Sequence, residues 1–137
     1  MDRDERLALA VRAEVAGIRA DETRERSELL RRQVAPIDRV VNEYQRLYGS
    51  DADPAAHPDV WQTLMAHHGG GRVPPEAVDA AVSMVEECAL ADAAVAAAMR
   101  TVTAAMGRDD SHSTLLAWVG CSVQEYKAAI QAALAEV

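Results

Sequence analysis

PEAVDAAVSMVEECALADAAVAAAMRTVTAAM, residues 75–106, is the longest segment of this chain that is predicted to form a single secondary-structure element. It is rich in Ala, which favours helix because its side chain loses no conformational entropy there. Between Cys88 and Met99 the only charge is Asp92, so the helix is apolar nearly all round. Helices of that kind are normally covered on several sides. We therefore predict a long Ala-rich central helix at about 75–106, covered by other helices or by a second copy of the chain.

The N-terminal 48 residues predict another long helix. Leu7, Val11, Val15 and Ile18 recur at helical spacing on one face. The stretch from residue 19 to 28 has no large apolar residue, so it is expected to be a solvated surface helix or a projecting arm. Pro36 lacks an N–H and clashes with the preceding turn, which predicts a helix that is kinked or broken there.

Around Pro36 the apolar residues are spaced alternately by four and three positions. This heptad-like seam is typical of a helix that packs along one narrow face, either inside a bundle or against a partner. We take it as a candidate interaction surface, and its residues are Leu30, Val34, Ile37, Val41, Tyr44 and Tyr48.

The remaining elements are short helices with recognisable ends. A helix from Pro58 to about His68 precedes Gly69–Gly71, which we interpret as a flexible linker. A second runs from about His112 to Val119, and a third from Val123 to about Glu136. Ser122 and Glu125 have the spacing of a capping box for the last one. The chain is thus predicted to be all-α, an irregular bundle of five to six helices in a single domain spanning 1–137, with 1–48 as its N-terminal segment and 54–137 as its core.

Charge is distributed unevenly along the chain. The net charge is −8, and residues 49–137 carry all of it, because residues 1–48 contain equal numbers of Arg and acidic residues. An acidic surface disfavours binding to nucleic acid or to an anionic membrane. The N-terminus lacks the apolar core of a signal peptide, and the apolar run at Cys88–Met99 is too short to cross a bilayer. We expect a cytoplasmic protein.

The alternative hypothesis is that the chain is a small DNA-binding transcriptional regulator with a helix–turn–helix. The segment from Leu115 to Ser122, followed by an amphipathic helix, resembles the two-helix unit of transcriptional regulators. Its DNA contacts would come from Ser122, Gln124 and Lys127 within residues 112–136, with N-terminal arginines on phosphate. Against it, Lys127 is the one basic residue of the would-be recognition helix.

Residues capable of chemistry are present but form no motif. His67 and His68 are adjacent and point about 100° apart on a helix, so they do not form a paired metal site. Arg108 to His112 is similar to the Arg…His motif of HEPN ribonucleases, with His112 as base and Arg108 on phosphate, although that family has a longer spacer. Cys121 stands at a helix start but has no assignable partner. We predict no catalytic residue, no metal and no cofactor.

The sequence therefore favours a non-enzymatic helical module for protein–protein interaction or regulation. Its partner is expected to be another copy of the chain, a different protein, or both. The acidic half offers Asp79, Glu86 and Glu87 as contacts that would mask a basic partner surface. A bilayer is not expected as a partner.

Overall fold

The computed structural model describes residues 1–107 and 114–136. The prediction of an all-α chain is confirmed, since no residue in these ranges forms a strand. These two ranges contain five α-helices, which are α1 (Arg3–Tyr48), α2 (Pro58–His68), α3 (Pro75–Met106), α4 (Leu115–Val119) and α5 (Val123–Ala135). Two 3-10 turns, Pro54–Ala56 and Gly70–Arg72, flank α2. The HEPN-like stretch 108–112 lies outside the described residues.

Helix α1 resolves the choice that Pro36 left open. The helix continues through Pro36 without a break for 46 residues. The ends of the shorter helices follow local chemistry as predicted. The capping box of Ser122 and Glu125 is present, and Gly69 and Gly120 end α2 and α4 in the left-handed conformation that glycine adopts most readily.

The chain groups into two compact units. Unit 1 contains Met1–Arg24 and Glu87–Val137, and unit 2 contains Glu25–Glu86, so α1 and α3 each contribute residues to both. Whether the whole chain behaves as the single domain that the sequence suggests stays a prediction.

Unit 1 is built on the first turns of α1. Ala10 lies fully buried with Trp118 and Val119 of α4, while Ala13 packs with Ala98 and Val102 of α3. Because these residues of α1 are small, α3 and the α4–α5 segment can both pack closely against α1. Burial of these apolar side chains is the main stabilising contribution to this unit.

Polar contacts fix the turn between α4 and α5 onto α1. The Arg3 guanidinium donates to the Gly120 carbonyl at 3.0 Å and forms an ion pair with Glu125. Arg6 donates to the Trp118 carbonyl at 2.9 Å, and its guanidinium lies 5.5 Å from the centre of the Trp118 ring. The two arginines donate to carbonyls at the end of a short helix, where the helix itself supplies no hydrogen-bond donor.

Unit 2 is centred on Tyr44, which is 1% exposed. Its hydroxyl donates to the Asp53 carbonyl at 2.7 Å, and its ring meets Trp61 edge-on at 5.3 Å. Gly70 is also buried here, and a Cβ on it would lie 2.7 Å from Met65 Sδ and 3.2 Å from Ile37 Cδ1. Gly70 is thus a packing position, whereas the sequence predicted only a flexible linker.

Candidate interaction surface

Helix α3 buries only one stripe of its surface within the chain. Met84, Ala98 and Val102 are buried on that stripe, and Cys88 and Val95 are partly buried beside it. Successive positions of this set are separated by 4, 7, 3 and 4 residues and therefore share one side of the helix. Between Val82 and Ala104 the other positions of α3, apart from Ala91, are exposed, although the sequence is as apolar as that of a helix that is covered all round.

The opposite side of α3 exposes large apolar side chains. Val82 is 69% exposed, Val85 66% and Leu90 64%. We call this surface the outer face of α3, and all its members are exposed: Val82, Val85, Glu86, Ala89, Leu90, Ala93, Ala97, Arg100 and Ala104. Scattered apolar side chains are common on protein surfaces, but a run of them along one helix is typical of a surface that binds another protein.

Two charged residues interrupt this face. Glu86 and Arg100 are exposed, and neither forms an ion pair with any residue in the described ranges 1–107 and 114–136. Asp92, by contrast, accepts a hydrogen bond from Arg24 at 2.8 Å. That ion pair raises the pKa of the Arg24 guanidinium above its usual range. The charges of the outer face are therefore available to a partner, while that of Asp92 is already paired.

The three acidic residues predicted to contact a basic partner are placed differently around α3. Asp79, Glu86 and Glu87 are all exposed. At about 100° per residue, Glu86 falls near the centre of the outer face and Glu87 about 120° away from Ala93. The structure therefore places Glu86, and also Asp79 at about 40° from the direction of Ala93, on the side of the exposed apolar residues, and Glu87 off it.

The heptad-like seam is used largely inside unit 2. Val34 and Tyr44 are buried, and Leu30, Ile37 and Val41 are partly buried. Only Tyr48 is exposed, and its ring stacks on His57 at 3.9 Å. The sequence alone allowed two interpretations of the seam, packing inside the chain and contact with a partner. Burial of its central residues favours interior packing.

A hydrogen-bonded pair joins α1 to α2 in unit 2. His68 Nε2 lies 2.7 Å from a carboxylate oxygen of Glu43. This hydrogen bond holds the pKa of Glu43 below its usual range. Arg39, Asn42 and Arg46 border the same shallow cleft. Among the described residues, those that line the cleft include no nucleophile or further acid, and the Glu43–His68 contact attaches α2 to α1.

The helix–turn–helix alternative gains no support from α4 and α5. Ser122, Gln124 and Lys127 are exposed at the start of α5, as the alternative requires. However, α4 has only five residues, and Arg3 and Arg6 contact the turn before α5 instead of extending toward a phosphate backbone. Glu125 accepts a hydrogen bond from the Ser122 amide and forms an ion pair with Arg3, and these contacts lower its pKa and keep an anion at this position.

In the described part of the chain, the His, Cys, Asp and Glu side chains are not arranged as a metal site or a thiol centre would require. No three His, Cys, Asp or Glu side chains among residues 1–107 and 114–136 converge as metal ligands. Cys88 and Cys121 are both free and partly buried. His67 and His68 pack ring to ring at 4.8 Å rather than around a common point. Within the same ranges, no helix has both the length and the apolar character needed to cross a bilayer.

Comparisons with protein-family models, with curated proteins and with solved structures give no match to this chain. The outer face therefore has to be interpreted from its own chemistry. The apolar excess of α3 and the acidic Glu86 were evident from the sequence, but Arg100, which lies two heptads beyond Glu86 on the same face, was not among the predicted site residues. The spacing of fourteen residues between Glu86 and Arg100 is visible in the sequence, but only the structure shows that both side chains are exposed.

Proposed function

We propose that this chain is a non-enzymatic, self-associating interaction module, and that the outer face of α3 binds a second copy. The observation that carries the proposal is the exposure of Val82, Val85 and Leu90 along one side of an otherwise Ala-rich helix. Burying such side chains against an equivalent surface removes apolar area from water, which is the main driving force of protein association. A second copy is the occupant whose surface is known to be of matching character.

The dimensions of the face set the expected affinity. From Val82 to Ala104 the helix is about 33 Å long, at 1.5 Å per residue. Two such strips, each about 10 Å wide, have a combined area of roughly 700 Å², which is below the size of stable interfaces and in the range of weak, transient ones. We therefore expect a dimer with a dissociation constant in the micromolar range rather than a permanent assembly.

The effect of salt on binding distinguishes self-association from binding to a basic protein. Two copies that each carry −8 repel one another over long range, and salt screens that repulsion. Self-association should therefore tighten, or at least not weaken, as salt is raised. Binding of Asp79, Glu86 and Glu87 to a basic surface would instead weaken with salt, because opposite charges are then screened.

The test is sedimentation velocity on the full chain from about 1 to 300 µM, a range that brackets micromolar association. The wild type should shift from monomer to dimer. Ala93→Glu, which puts a carboxylate in the middle of the face, should weaken the dimer at least tenfold. Ala132→Glu makes the same change at an exposed position of α5 and should have no effect.

A wild type that stays monomeric over the whole range at both low and high salt would overturn the proposal. A dimer that Ala93→Glu leaves intact would show that the chain self-associates through another surface. Circular dichroism of both variants would establish that they remain folded.

A further inference from the structure

A strip along the middle of the outer face of α3 is symmetric in its spacing and in its charges, and this symmetry specifies how two copies would meet. The strip contains Val82, Glu86, Ala89, Ala93, Ala97, Arg100 and Ala104. At about 100° per residue these positions lie within about 40° of the direction of Ala93. Successive members are separated by 4, 3, 4, 4, 3 and 4 residues, a series that reads the same in both directions from Ala93.

We propose that two copies pair their α3 helices antiparallel, with a two-fold axis at Ala93 and with Glu86 of each copy against Arg100 of the other. This inference rests on the proposed function and names its geometry. In an antiparallel pair centred on Ala93, each strip position faces the position equally far on the other side. Glu86 and Arg100 are each seven residues from Ala93, so they face one another twice in the dimer.

The charges select this orientation over the parallel one. In a parallel pair in the same register, Glu86 would face Glu86 and Arg100 would face Arg100, which places like charges together twice. In the antiparallel pair both contacts join opposite charges. Neither residue has an ion-pair partner elsewhere in the part of the chain that the structure describes, so no described residue competes for them.

Side-chain size fits the same arrangement. Ala89, Ala93 and Ala97 occupy the centre of the strip, so two helices can approach to about 8 Å, the short end of the usual range of interaxial distances. Leu90 flanks this centre and would cover its edge against the other copy. The apolar centre drives association, and the outer Glu86 and Arg100 contacts fix direction and register.

Charge exchange tests the register directly. Glu86→Arg gives a copy with two cations on the strip, and Arg100→Glu gives a copy with two anions. Each variant alone should self-associate at least tenfold more weakly than the wild type, because two attractions become two repulsions. An equimolar mixture should form a heterodimer, and the double variant Glu86→Arg/Arg100→Glu should recover the wild-type affinity. The control Glu87→Arg changes the neighbouring residue, which lies off the strip, and should not reproduce the loss.

A second measurement places the axis. With Cys88 and Cys121 replaced by Ser, Ala93→Cys should oxidise rapidly to a covalent dimer, because the two residues meet at the axis within disulfide range. Ala128→Cys, exposed on α5, should not.

If the wild type dimerises but either single variant self-associates as tightly as the wild type, or Ala93→Cys fails to cross-link, the antiparallel register is overturned while the proposed function survives. If the wild type is monomeric, the proposed function fails first and the register with it.

Discussion

Replacing Trp118 with Ala should remove most of the support that α4 gives to unit 1. Trp118 is the largest of the fully buried side chains, at 2% exposed. It lies in one cluster with Ala10 and Val119, and the Arg6 guanidinium sits over its ring at 5.5 Å. The substitution leaves the backbone carbonyl that Arg6 contacts in place but removes the ring.

The magnitude follows from the area that the ring buries. A buried tryptophan removes about 150–250 Å² from water. At about 25 cal/mol per Å² this is roughly 4–6 kcal/mol, an upper estimate because unfolded chains already bury part of that area. Tryptophan or phenylalanine to alanine changes in protein cores typically cost about 3–5 kcal/mol. We expect a loss of about 4 kcal/mol in the free energy of unfolding for Trp118→Ala.

Urea denaturation followed by far-ultraviolet circular dichroism measures this loss, at one fixed protein concentration so that self-association contributes equally. Trp61→Ala is the matched control, because it deletes the same side chain at a position that is only partly buried. Its loss should be about half as large. A loss for Trp118→Ala below about 1.5 kcal/mol, or a larger loss for Trp61→Ala, would refute the packing argument.

Three further predictions concern single contacts. Gly70→Ala should cost about 1 kcal/mol, because its Cβ meets Met65 and that flexible side chain moves at modest cost, whereas Gly71→Ala, with open space around it, should cost nothing; equal effects in thermal denaturation would contradict this. Ser122→Ala should cost about 1 kcal/mol through loss of the capping box, while Ser83→Ala, at an exposed position of α3, should be neutral or slightly stabilising in the same urea assay. The lowered pKa of Glu43 means that its ionised form stabilises the fold above about pH 4.5, the ordinary pKa of a glutamate, and that this contribution is lost as the pH falls through the lowered value. Glu43→Gln should therefore be less stable than the wild type near neutral pH and approach it in acid; a stability difference that does not depend on pH would exclude the charged hydrogen bond as its cause.

The sequence by itself determined the helices and most of their ends. The capping box at Ser122 and the glycines that terminate α2 and α4 act through contacts a few residues apart, so their effect can be deduced from neighbouring letters. Pro36 shows the limit of that reasoning. Its local chemistry predicts a disturbance, but how far the helix is disturbed depends on packing around it, and α1 continues.

Only the tertiary structure decided which surfaces are covered. Arg3 and Arg6 find their partners at Gly120 and Trp118, more than a hundred residues away, and no local pattern predicts such contacts. In the same way, the apolar excess of α3 was evident from sequence, but its periodicity does not say which side meets α1. Within unit 1, Ala13 of α1 packs against Ala98 and Val102 of α3, and the opposite side of α3, with Arg100, stays exposed to solvent.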